Sequence, residues 1–469
     1  MNLNTPPVEI SPATLKEQLD RLRGMTGSLL DHAARKDRLD RLEALLRANA
    51  DTLSEAISRD FGHRSRHETQ LLELFPSLEG IKHTRSHLKT WMRPQRGFAS
   101  LWFMPARIEL RPQPLGVVGI IVPWNYPLLL AVAPLASALA AGNRVMVKMS
   151  EFTPSTGELF ARLIATAFPE GDVVVINGGP ETGRAFAALP FDHLLFTGST
   201  AVGREVMKSA AANLVPVTLE LGGKSPAIVA DDFPLDLAAE RILFGKCLNA
   251  GQTCIAPDYV LLPRGKEEAF IEAARQYVAT RYPDLGADYS AIVNPRHRAR
   301  LRDWLAEARA AGANIRKLSD ATADETKLAP VVVQNAPAGS RLMQDEIFGP
   351  ILPVIGYSTL DEAIRHVNDR PRPLALYVFS HDDDTVEKVL SSTISGGVSV
   401  NETLMHISQE SLPFGGVGPS GMGHYHGKFG FDTFSKLKPV FRQSRFNGLK
   451  LFHPPYGKRF ETLVRLLSR

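Results

Sequence analysis

The chain has 469 residues, 44% hydrophobic and 22% charged, with 54 Lys and Arg against 50 Asp and Glu for a formal net charge of +4. That composition fits two or three globular domains, excludes global disorder, and argues against nucleic acid as a partner. Cys247 and Cys254 supply neither a disulfide framework nor a zinc signature, and none of the 13 histidines falls in a metal-binding pattern, so no catalytic metal is expected.

The opening MNLNTPPVEISP has no basic region leading into an apolar stretch, and no window offers ~18 uninterrupted apolar residues, which predicts a cytoplasmic protein. Ser11 before Pro12 reads as a helix N-cap with proline at the first helical position, and Leu15, Leu19 and Leu22 then share a face. Leu39, Leu42, Leu46 and Leu53 continue the helical period, so the first ~90 residues read as a helical layer with no chemistry visible in it. From residue 116 the texture changes to GVVGIIV, APLASALAAG, RVMVK, TGELFARLIATAF and DVVVIN, short apolar runs alternating with helical stretches. Such alternation predicts an α/β fold with a parallel sheet covered by helices, extended by HLLFTG and VPVTLELGG. A second alternating block runs from SPAIVA to GGVSVN, and the boundary falls at Gly222 and Gly223, read as a hinge or a close backbone approach.

Several residues at the ends of these runs carry chemistry. Gly198, Ser199 and Gly203 lie where HLLFTG opens a helix, whose free N–H groups and dipole could receive a pyrophosphate; an ordinary capped turn is the other reading. Lys148 and Glu151 follow RVMVK and could hold a ribose, although each alone also reads as a solvated charge. Cys254, in NAGQTCIAP, sits among small and polar residues that predict a flexible, exposed loop and an activated thiol, whereas Cys247 in RILFGKCLNA reads as structural. Glu220 closes an apolar run, where burial raises a carboxyl toward the range of a general base, and Asn125 in PWNYP offers an amide at the mouth of the sheet, or merely a turn.

With these residues in view, PWNYP, FTGST, LELGGKSP, GQTC, EIFGP at 346–350 and PFGG at 413–416 occur in one order, and the chain resembles the aldehyde dehydrogenase superfamily from about residue 10 to 440. CIAPDYVL, VNETLMH and GMGHYHGKFGFDTFS are similar to class 3 type members, and among them to bacterial coniferyl aldehyde dehydrogenases. The resemblance implies a Rossmann-like NAD-binding domain over residues 1–222, with a bridging hairpin near 103–115. It further implies an α/β catalytic domain over 223–402 and a small β bridging or oligomerisation segment with a tail over 403–469. Cys254 is then the nucleophile, Asn125 an oxyanion donor and Glu220 the base that hydrolyses a thioester. Lys148 and Glu151 serve the adenosine ribose, Gly198, Ser199 and Gly203 the pyrophosphate region, and Glu346 and Phe348 the nicotinamide ribose. The substrate implied is an aromatic aldehyde such as coniferaldehyde, with a medium or long-chain aliphatic aldehyde as the alternative, and Tyr126 and His406 are candidate substrate contacts. Glu151 repels a 2′-phosphate, so NAD is the expected cofactor and NADP the alternative; Met149 stands where many relatives have proline.

The resemblance also implies a homodimer. From Lys436 onward nine Lys and Arg face one acid, Glu461, and Phe460, Leu463, Val464 and Leu467 recur at helical spacing. This basic amphipathic tail reads chiefly as a helix packed on its own protein, with contact to an anionic membrane as the second reading.

Overall fold

The computed structural model describes residues 8–25, 29–321 and 324–468; the opening MNLNTPP and the terminal Arg469 lie outside them. Among the described residues the strands form three sheets. The first has the spatial order Gly421–Met422, Val217–Glu220, His193–Thr197, Val117–Ile121, Arg144–Lys148, Val173–Ile176, parallel throughout except for the short edge strand Gly421–Met422. Val117–Ile121 comes first in the chain and sits in the middle. The chain builds outward from it on one side and then returns to build the other, which is the Rossmann-like arrangement, with its switch point between Val117–Ile121 and His193–Thr197.

Helices cover both faces, as the apolar strands require. The helix Leu129–Ala141 is buried almost all round, which places it at the centre of the larger core rather than at a surface. The helices His32–Ala48 and Phe75–Trp91 pack against it and form the predicted N-terminal layer. On the opposite face, Ser11 caps the helix Pro12–Gly24 by accepting from the Thr14 N–H at 3.1 Å, and Leu15, Leu19 and Leu22 pack with Val117, Met146 and Phe196. Truncating a fully buried leucine of this kind, such as Leu19, costs about 2–5 kcal/mol.

The second sheet runs Asn314–Lys317, Val331–Gln334, Ile351–Tyr357, Tyr259–Pro263, Pro226–Val229, Ala375–Phe379, Gly397–Val400, parallel apart from its first pair. The stretch RHRARLRDWLAEARA is the helix Pro295–Ala310. A third, antiparallel sheet joins Gln95–Phe98, Arg107–Pro114 and Ser435–Arg442. It leaves Phe98, Trp102, Phe103 and Phe441 exposed. The glycine pair proves to be a close approach: a Cβ on Gly222 would stand 2.2 Å from a Glu346 oxygen, and one on Gly223 would stand 3.2 Å from the Pro373 backbone.

The tail helix Lys458–Leu467 buries none of its residues; Phe460 meets Phe452 and Tyr456 of the preceding turns. The expected packing over the protein's own surface therefore does not extend to a buried face.

Candidate active site

Cys254 and Glu220 open on one cavity of about 500 Å³, together with Tyr126, Thr197, Leu221, Thr253, Phe414 and Tyr425. Glu220 ends its parallel strand, so its carboxylate projects from the carboxyl edge of the first sheet, where strand ends build sites. It is 2% exposed and neither carboxyl oxygen has a hydrogen-bond partner. Burial raises it well above the usual carboxylate range, as the sequence led us to expect.

Cys254 corrects an expectation. Its loop is neither open nor loosely held: Asn249, Ala250, Gly251, Gln252 and Thr253 are all buried, and only Cys254 is half-buried toward the cavity. Asn249 and Ala250 both take left-handed backbone, at φ +49° and +51°, in a tight turn after the helix Leu235–Cys247. Strain of that kind persists where surrounding bonds enforce it. Here Gln252 donates to the Asn249 and Ala291 carbonyls, both at 2.9 Å, and accepts from the Val293 N–H at 3.0 Å. The polar residues that looked like solvent-facing loop are consumed internally. Nor is the thiol electrostatically activated in this state: burial, then the charges of Glu346 and Glu220, push it up, so it is protonated at neutral pH.

The helical layer that showed no chemistry supports this loop from behind. Arg64, fully buried, donates to Glu73 at 2.8 Å and to the Asn125 carbonyl at 3.0 Å. Glu73 accepts from the Leu128 and Leu129 N–H groups at 2.7 and 3.1 Å, and Glu68 accepts from the Asn249 N–H at 3.0 Å and from the Ser290 hydroxyl. Asn249 in turn donates to the Asn125 carbonyl at 3.1 Å. The PWNYP turn and the cysteine loop are thus tied to the same buried ions. Sequence reasoning missed them because a charged residue in an amphipathic helix reads as solvated unless its distant partner is known.

Asn125 is 3% exposed, and its Nδ2 donates to the Gln252 carbonyl at 3.2 Å, close to the cysteine loop; one of its two amide N–H groups remains for a ligand. Tyr126 lines the cavity with its hydroxyl 2.5 Å from that of Thr253. His406 does not line it: its Nδ1 pairs with the Ser399 hydroxyl at 2.9 Å, which corrects its candidacy as a substrate contact.

The remaining candidates gather at the same sheet edge. Lys148 is buried, not solvated, and its ammonium donates to the Met149 and Gly178 carbonyls, both at 2.7 Å, beside the half-exposed Glu151. Met149 itself is buried and keeps its backbone N–H in the sheet at 3.0 Å from the Ile176 carbonyl, so its presence leaves the strand end regular. Ser199 is exposed and caps the helix Thr200–Ala211, accepting from Val202 at 3.4 Å. A Cβ on Gly203 would meet Leu221 at 2.7 Å, and one on Gly198 would meet the Phe196 ring at 2.5 Å, so both glycines admit close packing at this helix start. Glu346 lies against Gly222 with its Oε1 unpartnered, and burial together with nearby Asp258 pushes it up to about 8. Phe348, at φ +50°, sets its ring edge-on to Trp124 at 5.3 Å. Lys224 and Asp258, not singled out in the sequence, form an ion pair that pins this loop: Lys224 donates to the Leu342 and Asp345 carbonyls at 2.7 and 3.0 Å, and Asp258 accepts from the Ile347 N–H at 2.9 Å.

An exposed helix start, a buried ammonium with a carboxylate beside it, and the half-buried Glu346 with its unpartnered Oε1 fit a dinucleotide laid across the switch point. Comparison with known proteins agrees. The model of the aldehyde dehydrogenase family matches residues 26–440. A protein from Pseudomonas aeruginosa called a probable coniferyl aldehyde dehydrogenase is 53% identical over 92% of this chain and 91% of its own. Among solved structures, the substrate-bound AldH of Staphylococcus aureus is 38% identical with a TM-score of 0.91, covering 97% of this chain and 99% of that one. An NAD+ complex of an aldehyde dehydrogenase from Bacillus cereus is 25% identical with a TM-score of 0.84, over 93% and 90%.

Proposed function

This chain belongs to the aldehyde dehydrogenase family, and on that footing we propose that it oxidises aromatic aldehydes, phenylpropenals such as coniferaldehyde, to their carboxylic acids through a covalent cysteine intermediate. The observation that carries the reading is the shared cavity of Cys254 and Glu220, a thiol and an unpartnered buried carboxyl with space between them for an aldehyde. The mostly apolar wall favours an aromatic group over a charged one.

In this reading Cys254 gives up its thiol proton to water and its sulfur adds to the aldehyde carbon. The oxyanion that forms is met by the Asn125 amide and the Cys254 backbone N–H. Nicotinamide, when bound, supplies the hydride acceptor, and loss of hydride leaves a thioester on Cys254. Glu220 then takes a proton from water as the water adds to the thioester; collapse expels the thiolate and releases the acid. Lys148 and Glu151 would hold the adenosine ribose of NAD, Gly198, Ser199 and Gly203 would receive its pyrophosphate, and Glu346 and Phe348 would take the nicotinamide ribose side. The carboxylate of Glu151 favours NAD over NADP.

The domains are 1–222, 223–402 and 403–469, the first carrying a bridging hairpin near 103–115. The protein is a cytoplasmic homodimer, paired through the apolar side chains that its three-stranded sheet exposes, Phe98, Trp102 and Phe441 among them. No helix among the described residues is long and apolar enough to cross a membrane. The test is NADH formation from coniferaldehyde, benzaldehyde and a long aliphatic aldehyde. Faster turnover of the phenylpropenal supports the reading. Faster turnover of the aliphatic aldehyde overturns the substrate class, and no turnover of any aldehyde overturns the activity.

A further inference from the structure

Most of the cavity wall is apolar, through Leu71, Leu72, Leu129, Leu130 and Ile407 among others. Among the polar groups that interrupt it and that the reaction does not use, Glu79, His83, Ser408, Glu410 and His426, the last two are brought together by one turn of backbone. His426 is 6% exposed and its Nδ1 has no hydrogen-bond partner. Its ring is locked between Phe414, stacked at 5.4 Å, and Tyr425, edge-on at 4.7 Å. Its backbone lies at φ +93°, a conformation that side-chain-bearing residues avoid. Gly427 follows at φ +45°, and its N–H donates to Glu410 at 3.2 Å. A Cβ on Gly427 would fall 2.1 Å from the Glu410 carbonyl oxygen, so this turn requires glycine to bring the imidazole and the carboxyl to one stretch of wall. The Gly427 bond takes Glu410 Oε2, and among the described residues no other hydrogen bond falls on that carboxyl. The result is a strained turn and an unmet buried nitrogen on a largely apolar wall, an arrangement that an apolar substrate tail would leave unsatisfied.

We propose that Glu410 and His426 form a polar subsite for the ring hydroxyl of a phenolic aldehyde, the hydroxyl donating to Glu410 and accepting from the His426 ring. The inference rests on the aldehyde-oxidising reading above and narrows it to hydroxylated aromatic substrates. Burial keeps the imidazole down at about 4, so it is neutral at physiological pH and offers one donor and one acceptor. A site built to bond a hydroxyl discriminates against the analogue lacking it, because its own groups are then left unpaired.

The experiment compares kcat/KM of the full-length enzyme with NAD for 4-hydroxycinnamaldehyde, 4-methoxycinnamaldehyde and cinnamaldehyde. Wild type is expected to favour the hydroxylated aldehyde over both others by at least ~10-fold. In Glu410→Leu the ratio falls to about one, whatever common factor all three rates lose, while Glu410→Gln, which keeps an acceptor, retains part of the preference. Turnover of all three by wild type at equal kcat/KM overturns the subsite without recourse to any variant. A wild-type preference that survives Glu410→Leu intact also overturns it. Wild type inert toward all three overturns the parent reading and the subsite with it.

Discussion

Glu220→Gln separates the two halves of the reaction. Glu220 has no hydrogen-bond partner to lose, and the amide is nearly isosteric, so the fold and the cavity are retained. What disappears is the ability to take a proton from water, a contribution of about 10²- to 10⁴-fold, or about 2.7–5.4 kcal/mol in the barrier to thioester hydrolysis. Hydride loss precedes that step and does not use Glu220. Rapid mixing with saturating aldehyde and NAD should therefore give a burst of NADH approaching one equivalent per subunit, followed by a steady state slowed by that factor. The pH dependence carries a sign. Because burial holds the Glu220 carboxyl above its ordinary range, its basic form is scarce at low pH, and wild-type deacylation should climb as pH rises beyond the usual carboxylate region. The variant should lose that limb. If burst and steady state slow together, Glu220 acts before hydride loss, in deprotonating Cys254, and the assignment of roles is wrong.

Cys254→Ala should abolish aldehyde oxidation by at least ~10⁴-fold in steady-state assays, since the covalent intermediate has no other host. With iodoacetamide, mass spectrometry should find one adduct, at Cys254, because Cys247 is sealed in the core with its thiol pushed up to about 12. Arg64→Met removes the guanidinium between Glu73 and the Asn125 carbonyl and should cost about 3–5 kcal/mol in denaturant unfolding, with Tm falling accordingly; an unchanged midpoint would remove the argument that this ion supports the site. Glu346 rises from an ordinary carboxyl value to about 8 on folding, so the folded state binds the extra proton and stability is lost as pH climbs through that window. Glu346→Gln should accordingly gain about 2–3 kcal/mol relative to wild type between pH 5 and 7, read by urea melts at each pH.

Much of this fold is legible in the chain because each signal is local. Ser11 and Pro12 start a helix by chemistry confined to one turn, and GVVGIIV or RVMVK can only be strands covered on both faces. Glu220 announced its raised carboxyl by closing such a run. The failures share one cause. Lys148, Arg64, Glu68 and Glu73 look like surface charges, yet each is buried because a carbonyl, an N–H or an opposite charge from a remote segment meets it. Asn249 and Gln252 look like open loop for the same reason. Likewise, nothing around Gln95–Phe98 signals that it will pair with Arg107–Pro114, since GFAS and LWF lack alternation.

The bonds that hold the cysteine loop also fix when it can form during synthesis. Asn249 is seated by Glu68, 181 residues earlier in the chain, and Ser290 reaches back 222 residues to the same carboxylate. Contacts of such long sequence separation form late, after the intervening chain has been made and its loop entropy overcome. Glu68 leaves the ribosome early, with the Arg64 charge near it, and has both of these hydrogen-bond partners only once Ser290 has been made. A nascent chain therefore carries no ordered thiol for most of its elongation, and a reactive cysteine is assembled only when the sheet that will receive its substrate is already present.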